Sequence, residues 1–165
     1  MKASNLKWAA IENFPPEEWP VGVLEHMDSS IILAQEGVRE EAGVAMLPSP
    51  IYGAHVRDSG NSRHSTQGGT RLSDATDTFI PGGWDDALKV WQAAQRCPEL
   101  GGIGIYVNRQ WGGRMPMLHL DCRPERLLWV CRTHPVTGKD DYIYLPNDPA
   151  LFFEVMAKGL EPESD

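Results

Sequence analysis

The chain has 165 residues, a length that fits a single domain able to bury roughly 70% of its unfolded surface. Hydrophobic residues make up 41% and charged residues 23%, which excludes a disordered or fibrous protein. The net charge of -8 argues against a nucleic-acid partner, because affinity for a phosphate backbone depends on clustered Lys and Arg. We therefore expect one soluble globular domain over residues 1–165.

The sequence contains no candidate for a membrane span, because its apolar runs are only a few residues long. The N-terminal residues lack the apolar stretch of a secretory signal, so synthesis in the cytoplasm is expected. The three cysteines, Cys97, Cys122 and Cys131, form no metal-spaced pair and favour a reduced compartment. Action outside the cell would then require delivery by lysis or by a virion.

The first strong element in the chain is a helix that begins near residue 28. Apolar side chains recur there at helical spacing, at Ile31, Ala34, Val38 and Ala42. Ser29 or Ser30 is the predicted N-cap, and Gly43 is the predicted stop. The acidic residues around Glu36 are interpreted as a solvated outer face of this helix.

A long loop is predicted over residues 48–73, which are rich in Pro, Gly, Ser and Asn. Loops longer than about 15 residues are uncommon inside compact domains and are often functional. Short strands are predicted on either side, at Val44–Leu47 and Ala75–Phe79. The loop is therefore the first place to look for a site.

The second half of the chain is predicted to be rich in strands. A helix begins at Trp84, and four strands follow at Ile103–Val107, Met117–Asp121, Leu127–Cys131 and Tyr142–Leu145. Asp148 caps a last helix, whose apolar face is formed by Leu151, Phe152, Val155 and Met156. The predicted fold is α+β, a small and mostly antiparallel sheet flanked by helices, with an N-terminal arm at 1–20 and a hairpin and helix extension at 133–165.

Three side chains suggest a metal site. A catalytic zinc ion usually takes three protein ligands from His nitrogen and Asp or Glu oxygen, and His64, Asp77 and His119 supply such a set. His119, Asp121 and Arg123 alternate along one strand and share one of its faces. Ordinary solvent exposure is the alternative explanation of that polar face.

Four short segments carry a resemblance to a known family: SRH at 62–64, ATD at 75–77, GGIGIY at 101–106 and LHLDCRP at 118–124. In this order they resemble the zinc D-alanyl-D-alanine peptidases, which share their fold with the Hedgehog signalling domain. The last two segments resemble the branch found in phage and bacterial murein peptidases. The resemblance covers roughly residues 20–132 of the chain.

The resemblance implies a zinc cofactor held by His64, Asp77 and His119, with Ser62 as a hydrogen-bonding partner behind the ligands. It also implies that Arg57 binds a carboxylate of a peptidoglycan peptide, a task that suits the guanidinium fork. A loop arginine that bridges to an acidic neighbour is an equal alternative for Arg57.

Two features differ from the family pattern. His64 and Asp77 are thirteen positions apart, which is longer than is common in the family, so Asp74 is an alternative ligand. The position three residues before His119, where many members carry the acid that acts as general base, is Pro116. Asp121 is then the candidate for catalysis, either as the base or as a carboxylate that orients a histidine ligand.

These features lead to a zinc-dependent murein peptidase of endolysin type as the predicted function. A non-catalytic module that retains the peptidase fold, with virion or tail proteins as partners, is the alternative suggested by Pro116 and the lengthened loop. A Hedgehog-like binding domain with structural zinc ranks third, because open ligand sets usually keep an exchangeable water. Trp111, in a glycine-rich segment before His119, is a candidate for lining a substrate groove or for loop packing.

Overall fold

A computed structural model describes residues 1–107 and 115–159 of the chain. The fold is α+β, as predicted. The helices are α1 Ser29–Ala42, α2 Trp84–Arg96 and α3 Pro149–Gly159. The strands are β1 Leu47–Pro48, β2 Ala75–Phe79, β3 Gly102–Tyr106, β4 Met117–Asp121, β5 Leu127–Thr133 and β6 Asp140–Tyr144. The first of these strands is shorter than the strand expected at Val44–Leu47.

The six strands form one sheet in the order β1-β2-β4-β3-β5-β6. The expectation of a mostly antiparallel sheet is wrong, because β5 runs parallel to β3 and the sheet is mixed. The reason is topological. β4 already has β2 on one side and β3 on the other, so the strand that follows β4 pairs at the free edge of β3. Sequence periodicity contains no information on that choice of edge.

The two faces of the sheet have different roles. Alternating residues of the central strands point to the helices and form the main core with them, among them Ile103, Ile105, Leu118, Leu120 and Val130. All five are buried. The residues between them, including His119 and Asp121, point to the opposite face, as expected for side chains that alternate along a strand. That opposite face carries the candidate site.

The caps of α1 differ from the prediction at one end. The N-cap is Asp28 rather than Ser29 or Ser30, because the Asp28 side chain accepts a hydrogen bond from Ser30 N at 2.9 Å. Gly43 ends the helix as predicted, with a left-handed φ of 65° that glycine adopts without steric cost.

Glu40 and Glu41 are exposed, as the predicted solvated face of α1 requires, but that interpretation is wrong for Glu36. The carboxylate is buried and accepts hydrogen bonds from Glu12 N at 2.9 Å and Asn13 N at 3.1 Å. It thereby fixes the N-terminal arm to α1. The arm itself forms short 3-10 turns, and its aromatic side chains Phe14 and Trp19 are buried.

The C-terminal elements follow the prediction closely. Leu151 N donates to the Asp148 carboxylate at 3.0 Å, which is an N-cap bond for α3, and Phe152, Val155 and Met156 are buried. Residues 160–165 lie outside the described part of the chain. Within the described residues, no helix combines the length and the apolarity that crossing a membrane requires.

Candidate metal centre

The register of the sheet brings the candidate ligands together. Asp77 on β2 is the direct partner of His119 on β4, and His119 in turn faces Gly104 on β3. His64 comes from the long loop, whose main chain pairs Arg57 with Ser65 around it. Two ligands thus lie on neighbouring strands, and the third is supplied by the loop above them.

The three candidate ligand atoms lie close together. His119 Nδ1 lies 2.9 Å from Asp77 Oδ1 and 3.1 Å from His64 Nε2, and His64 Nε2 lies 3.4 Å from Asp77 Oδ1. The three residues are between 2% and 7% exposed. The described part of the chain contains one group of His, Cys, Asp or Glu side chains with this potential, and it consists of these three residues.

The spacing of these atoms fits a first-row metal ion. A tetrahedral zinc ion with bonds of about 2.0–2.1 Å holds its ligand atoms about 3.3 Å apart. The observed separations of 2.9–3.4 Å surround that value. Two imidazole nitrogens and one carboxylate oxygen form a ligand set typical of zinc sites with one open position. The residues therefore fit a bound zinc ion without rearrangement of the sheet.

His119 is held from its other side by Asp121. Its Nε2 lies 2.9 Å from Asp121 Oδ2, while Arg123 donates to both carboxylate oxygens, through Nε to Oδ1 at 2.8 Å and through Nη2 to Oδ2 at 2.6 Å. Arg123 N adds a third bond to Oδ1 at 3.0 Å. The Asp121 carboxylate is fully buried, and both of its oxygens are hydrogen-bonded. It contacts Nε2 of His119, whereas Nδ1 of His119 faces His64 and Asp77. We refer to His64, Asp77 and His119 as the metal group.

Burial, charge and hydrogen bonding shift the pKa values of Asp77, His119 and Asp121. Burial alone would lower the pKa of His119, but its hydrogen bonds to Asp121 and Asp77 prevail and raise it to about 9. Burial favours the protonated carboxyls of Asp77 and Asp121, yet the bonds from His119 and its neighbours hold both pKa values well below the usual range. Both carboxylates are charged at neutral pH, which suits cation binding.

The main chain around His64 is fixed by local hydrogen bonds. His64 Nδ1 lies 3.4 Å from the carbonyl oxygen of His55, which leaves Nε2 directed at the other ligands. Ser62 Oγ accepts from His64 N at 3.3 Å, so the hydroxyl supports the backbone of the ligand and not its ring. Burial lowers the pKa of His64, which favours the neutral imidazole that a metal ion needs.

His55, which lies nine residues before His64 in the long loop, is a packing residue. Its ring is fully buried, with Nδ1 2.9 Å from Thr76 Oγ1 and Nε2 2.8 Å from Ser49 O. Burial lowers its pKa to about 4. The neutral ring ties the long loop to β2 beside the metal ligands.

We predict that His55 makes the zinc-free protein sensitive to acid. Its pKa is about 6.5 in the unfolded chain and about 4 in the folded protein, so the unfolded state binds its proton first. The stabilisation from the neutral ring is present above pH 6.5 and is lost as the pH falls toward 4. Urea unfolding at a series of pH values should show a loss of roughly 3 kcal/mol from this residue. His55→Gln should lack that part, and identical pH profiles would contradict the prediction.

The alternative ligand Asp74 lies elsewhere. Its carboxylate forms an ion pair with Arg63, whose Nε donates to Asp74 Oδ1 at 2.9 Å. Asp74 is absent from the group of converging ligand atoms, whereas Asp77 is part of it. The geometry therefore favours Asp77 over Asp74.

Two adjoining clefts open beside the metal group. The first, of about 240 Å³, reaches His64 and His119 and has an aromatic wall of Tyr106, Trp129, Tyr142 and Tyr144. The second, of about 380 Å³, reaches Asp77 and is more apolar, with Ile51, Ala54, Phe79 and Met117 in its lining. Each of the three candidate ligands lines one of these clefts.

Arg57 lines both clefts. Its Nε donates to Gly53 O at 2.8 Å, which fixes the direction of the side chain within the loop. Arg57 is exposed. Burial is the largest cause that lowers the pKa of His64, and the charges of His119 and then Arg57 lower it further. A guanidinium in this place can meet an anionic group of a bound molecule.

Two glycines of β3 make room for the site. A Cβ atom at Gly102 would overlap the carboxylate of Asp121, and one at Gly104 would overlap the indole of Trp129. The indole lies over Gly104 and contacts the His119 ring at 5.0 Å between centroids. Trp129 also stacks under Arg123, whose guanidinium carbon is 5.4 Å from the ring. Trp129 is buried, and in the sequence only the alternating glycines of β3 signal its contact with His119.

We predict that Gly104→Ala destabilises the protein by about 1–3 kcal/mol, because the added methyl group displaces Trp129 and with it His119. Gly37→Ala is the matched control. Gly37 is an exposed helical glycine with open space at its Cβ, so alanine should stabilise α1 by up to about 1 kcal/mol. Urea unfolding of the three proteins measures both changes. Equal stability of Gly104→Ala and the parent protein would contradict the prediction.

Position 116 adds no acid to the site. Pro116 supplies only its carbonyl oxygen, which accepts from Ile80 N at 2.9 Å. Trp111 lies outside the described residues.

Comparison with protein-family models, with curated proteins and with solved structures finds no significant match to this chain. The family resemblance therefore remains an expectation from the sequence motifs.

Proposed function

We propose that the protein is a zinc-dependent metallopeptidase that hydrolyses amide bonds in peptidoglycan stem peptides or cross-links. The observation that carries the proposal is the convergence of His64 Nε2, Asp77 Oδ1 and His119 Nδ1 beside a cleft. A zinc ion held by these atoms would lower the pKa of its water toward about 7 and polarise a scissile carbonyl. Three protein ligands leave the position that such a water needs.

The sequence motifs support the same assignment. The SRH, ATD and HLD segments that resemble the zinc D-alanyl-D-alanine peptidases contain the three converging residues, although they lie far apart in the chain. Agreement between a motif and an independent spatial arrangement is stronger support than either one alone. We infer that the α+β domain is of the Hedgehog and D-alanyl-D-alanine peptidase type.

Asp121 has the role of a positioning residue in this proposal. Its contact with His119 Nε2 would hold a proton there, while a bound metal ion would replace the proton that the raised pKa keeps on Nδ1 at neutral pH. Its carboxylate is also bound by Arg123, and it contacts the ring nitrogen of His119 that is opposite the one near Asp77 and His64. This arrangement favours orientation of the ligand over proton transfer to or from a bound water.

Substrate contacts come from the cleft walls. Arg57, at the junction of the two clefts, pairs a carboxylate of the stem peptide in two hydrogen bonds. Tyr106 lines both clefts as well, and burial, followed by the charge of Asp77, raises the pKa of its phenol. The phenol is therefore protonated at neutral pH, and its side-chain hydrogen bond with Tyr142 contributes to the same shift of the pKa.

Digestion of purified peptidoglycan tests the function. The zinc-loaded protein should release muropeptides with new amino and carboxyl termini, detected by liquid chromatography and mass spectrometry. A chelator should stop the reaction, and added zinc should restore it. Failure to cleave peptidoglycan or isolated muropeptides between about pH 5 and 9, with zinc bound, would contradict the proposal.

A non-catalytic module that keeps the peptidase fold is the second candidate. It is favoured by one observation: of the described residues that line the two clefts, the carboxylates are Asp77 and Asp140, and Asp77 is a proposed ligand. Position 116 holds proline instead of an acid. Zinc binding and peptidoglycan binding without cleavage would support this candidate, with virion or tail proteins as its partners.

A further inference from the structure

The segment between His64 and Asp77 is longer than the resemblance leads one to expect, and its fold explains the extra length. Residues 65–73 turn back on the loop through three successive left-handed residues: Gln67, Gly68 and Gly69. Gln67 is the one non-glycine residue with positive φ in the described chain, at 51°. A strained conformation of this kind persists only where the surrounding structure holds it.

Arg71 lies at the end of this turn, and its guanidinium binds the loop that carries His64. Nε donates to Ser65 O at 2.6 Å, and Nη2 donates to Ser62 O at 3.2 Å and to Arg63 O at 3.0 Å. The three carbonyl groups flank His64 on both sides in sequence. One planar cation therefore fixes the backbone on either side of a proposed metal ligand.

The same segment is itself anchored at several points. Gly68 N donates to Asp58 O at 2.7 Å, and Thr66 N donates to Arg57 O at 2.8 Å. At the far end, the Ser73 hydroxyl donates to His55 O at 2.5 Å and reaches Arg63 O at 3.4 Å. The segment that carries the Arg71 guanidinium is therefore itself held in place by hydrogen bonds.

We propose that residues 65–73 form a clamp and that Arg71 is a positioning residue, which sets His64 Nε2 in its metal-binding place before the metal arrives. The proposal rests on the zinc site proposed above. His64 is the only one of the three ligands that no strand holds, so its position depends on the loop. The clamp accounts for ligand atoms that already lie within 3.4 Å of each other.

The chemistry requires arginine at this position. A planar fork donates several hydrogen bonds in fixed directions, and three carbonyl oxygens surround it here. A lysine ammonium keeps the charge but cannot match the spread of the three acceptors. Arg71→Lys should therefore retain only part of the zinc affinity that Arg71→Met loses.

Zinc affinity tests the clamp. Competition with a chelating dye, at a temperature where every variant is folded, should give a zinc dissociation constant about 10–100-fold weaker for Arg71→Met than for the parent. Arg71→Lys should be intermediate. Arg96→Met is the control, because Arg96 pairs with Glu41 at the protein surface away from the site, and its zinc affinity should be unchanged.

The possible results distinguish failure of the clamp from failure of the zinc site. A purely structural Arg71 would lower the stability of the zinc-free protein and leave the zinc dissociation constant within about two-fold of the parent, and this overturns the clamp. If Arg71→Met does not fold, Ser73→Ala removes only one hydroxyl and should still weaken zinc several-fold; an unchanged constant also overturns the clamp. A parent protein that binds no zinc overturns the zinc site and the clamp together.

Discussion

Replacing His64, Asp77 or His119 with alanine is expected to weaken zinc binding at least about a hundred-fold. A protein zinc site is worth about 10–16 kcal/mol when four ligands hold the ion, so one ligand contributes about 3 kcal/mol. Each of the three residues offers one atom to the converging group. Zinc content after dialysis against a weak chelator, measured by mass spectrometry, should fall from one ion per chain to nearly none in each variant.

Asp74→Ala and His134→Ala are the controls for the ligand variants. Asp74 pairs with Arg63, and the His134 ring accepts hydrogen bonds from Val136 N and Thr137 N in the turn before β6. Both variants should keep their zinc. Loss of zinc in Asp74→Ala with retention in Asp77→Ala would contradict the choice of Asp77 as the ligand.

Asp121→Asn is expected to weaken zinc binding about 10–100-fold, because the carboxylate that fixes the His119 tautomer is lost. The same change leaves the Arg123 guanidinium, about a quarter exposed, without its charged partner. A general base would behave differently: its loss would lower kcat and leave zinc affinity intact. Zinc competition and peptidase assays on the same preparation separate the two roles.

Asp141→Asn is the matched control for Asp121→Asn. Asp141 also pairs with an arginine of β5, Arg132, at 3.0 Å, but it lies outside the metal group. Its zinc affinity should match that of the parent. Unchanged zinc affinity in Asp121→Asn, together with a large loss of kcat, would assign Asp121 as the base and contradict its role as a positioning residue.

Local patterns in the sequence predict much of this fold. β2 and β4 have the predicted bounds, and the alternation along β4 correctly places His119, Asp121 and Arg123 on one face. Strand alternation and helical spacing are local properties, so a single sequence reveals them. The same reasoning cannot say which strands are neighbours, so it does not reveal that Asp77 lies beside His119.

The parts that sequence analysis missed depend on contacts between distant residues. The parallel pairing of β5 with β3 is a choice between sheet edges, and the burial of Glu36 depends on an arm that binds it from 24 residues away. Arg71 looks like an ordinary loop arginine until its three carbonyl partners are known. None of these contacts leaves a periodic signal in the chain.

The position of zinc in a crystal of the zinc-loaded protein tests the central claim most directly. Anomalous scattering at the zinc edge should give one peak, about 2.0–2.2 Å from His64 Nε2, Asp77 Oδ1 and His119 Nδ1, with a water as the fourth ligand on the cleft side. The hydrogen bonds of the clamp, and those of Asp121 with His119 and Arg123, should be unchanged around it. A peak bound by other residues, or no peak at this group at full zinc loading, would contradict the account.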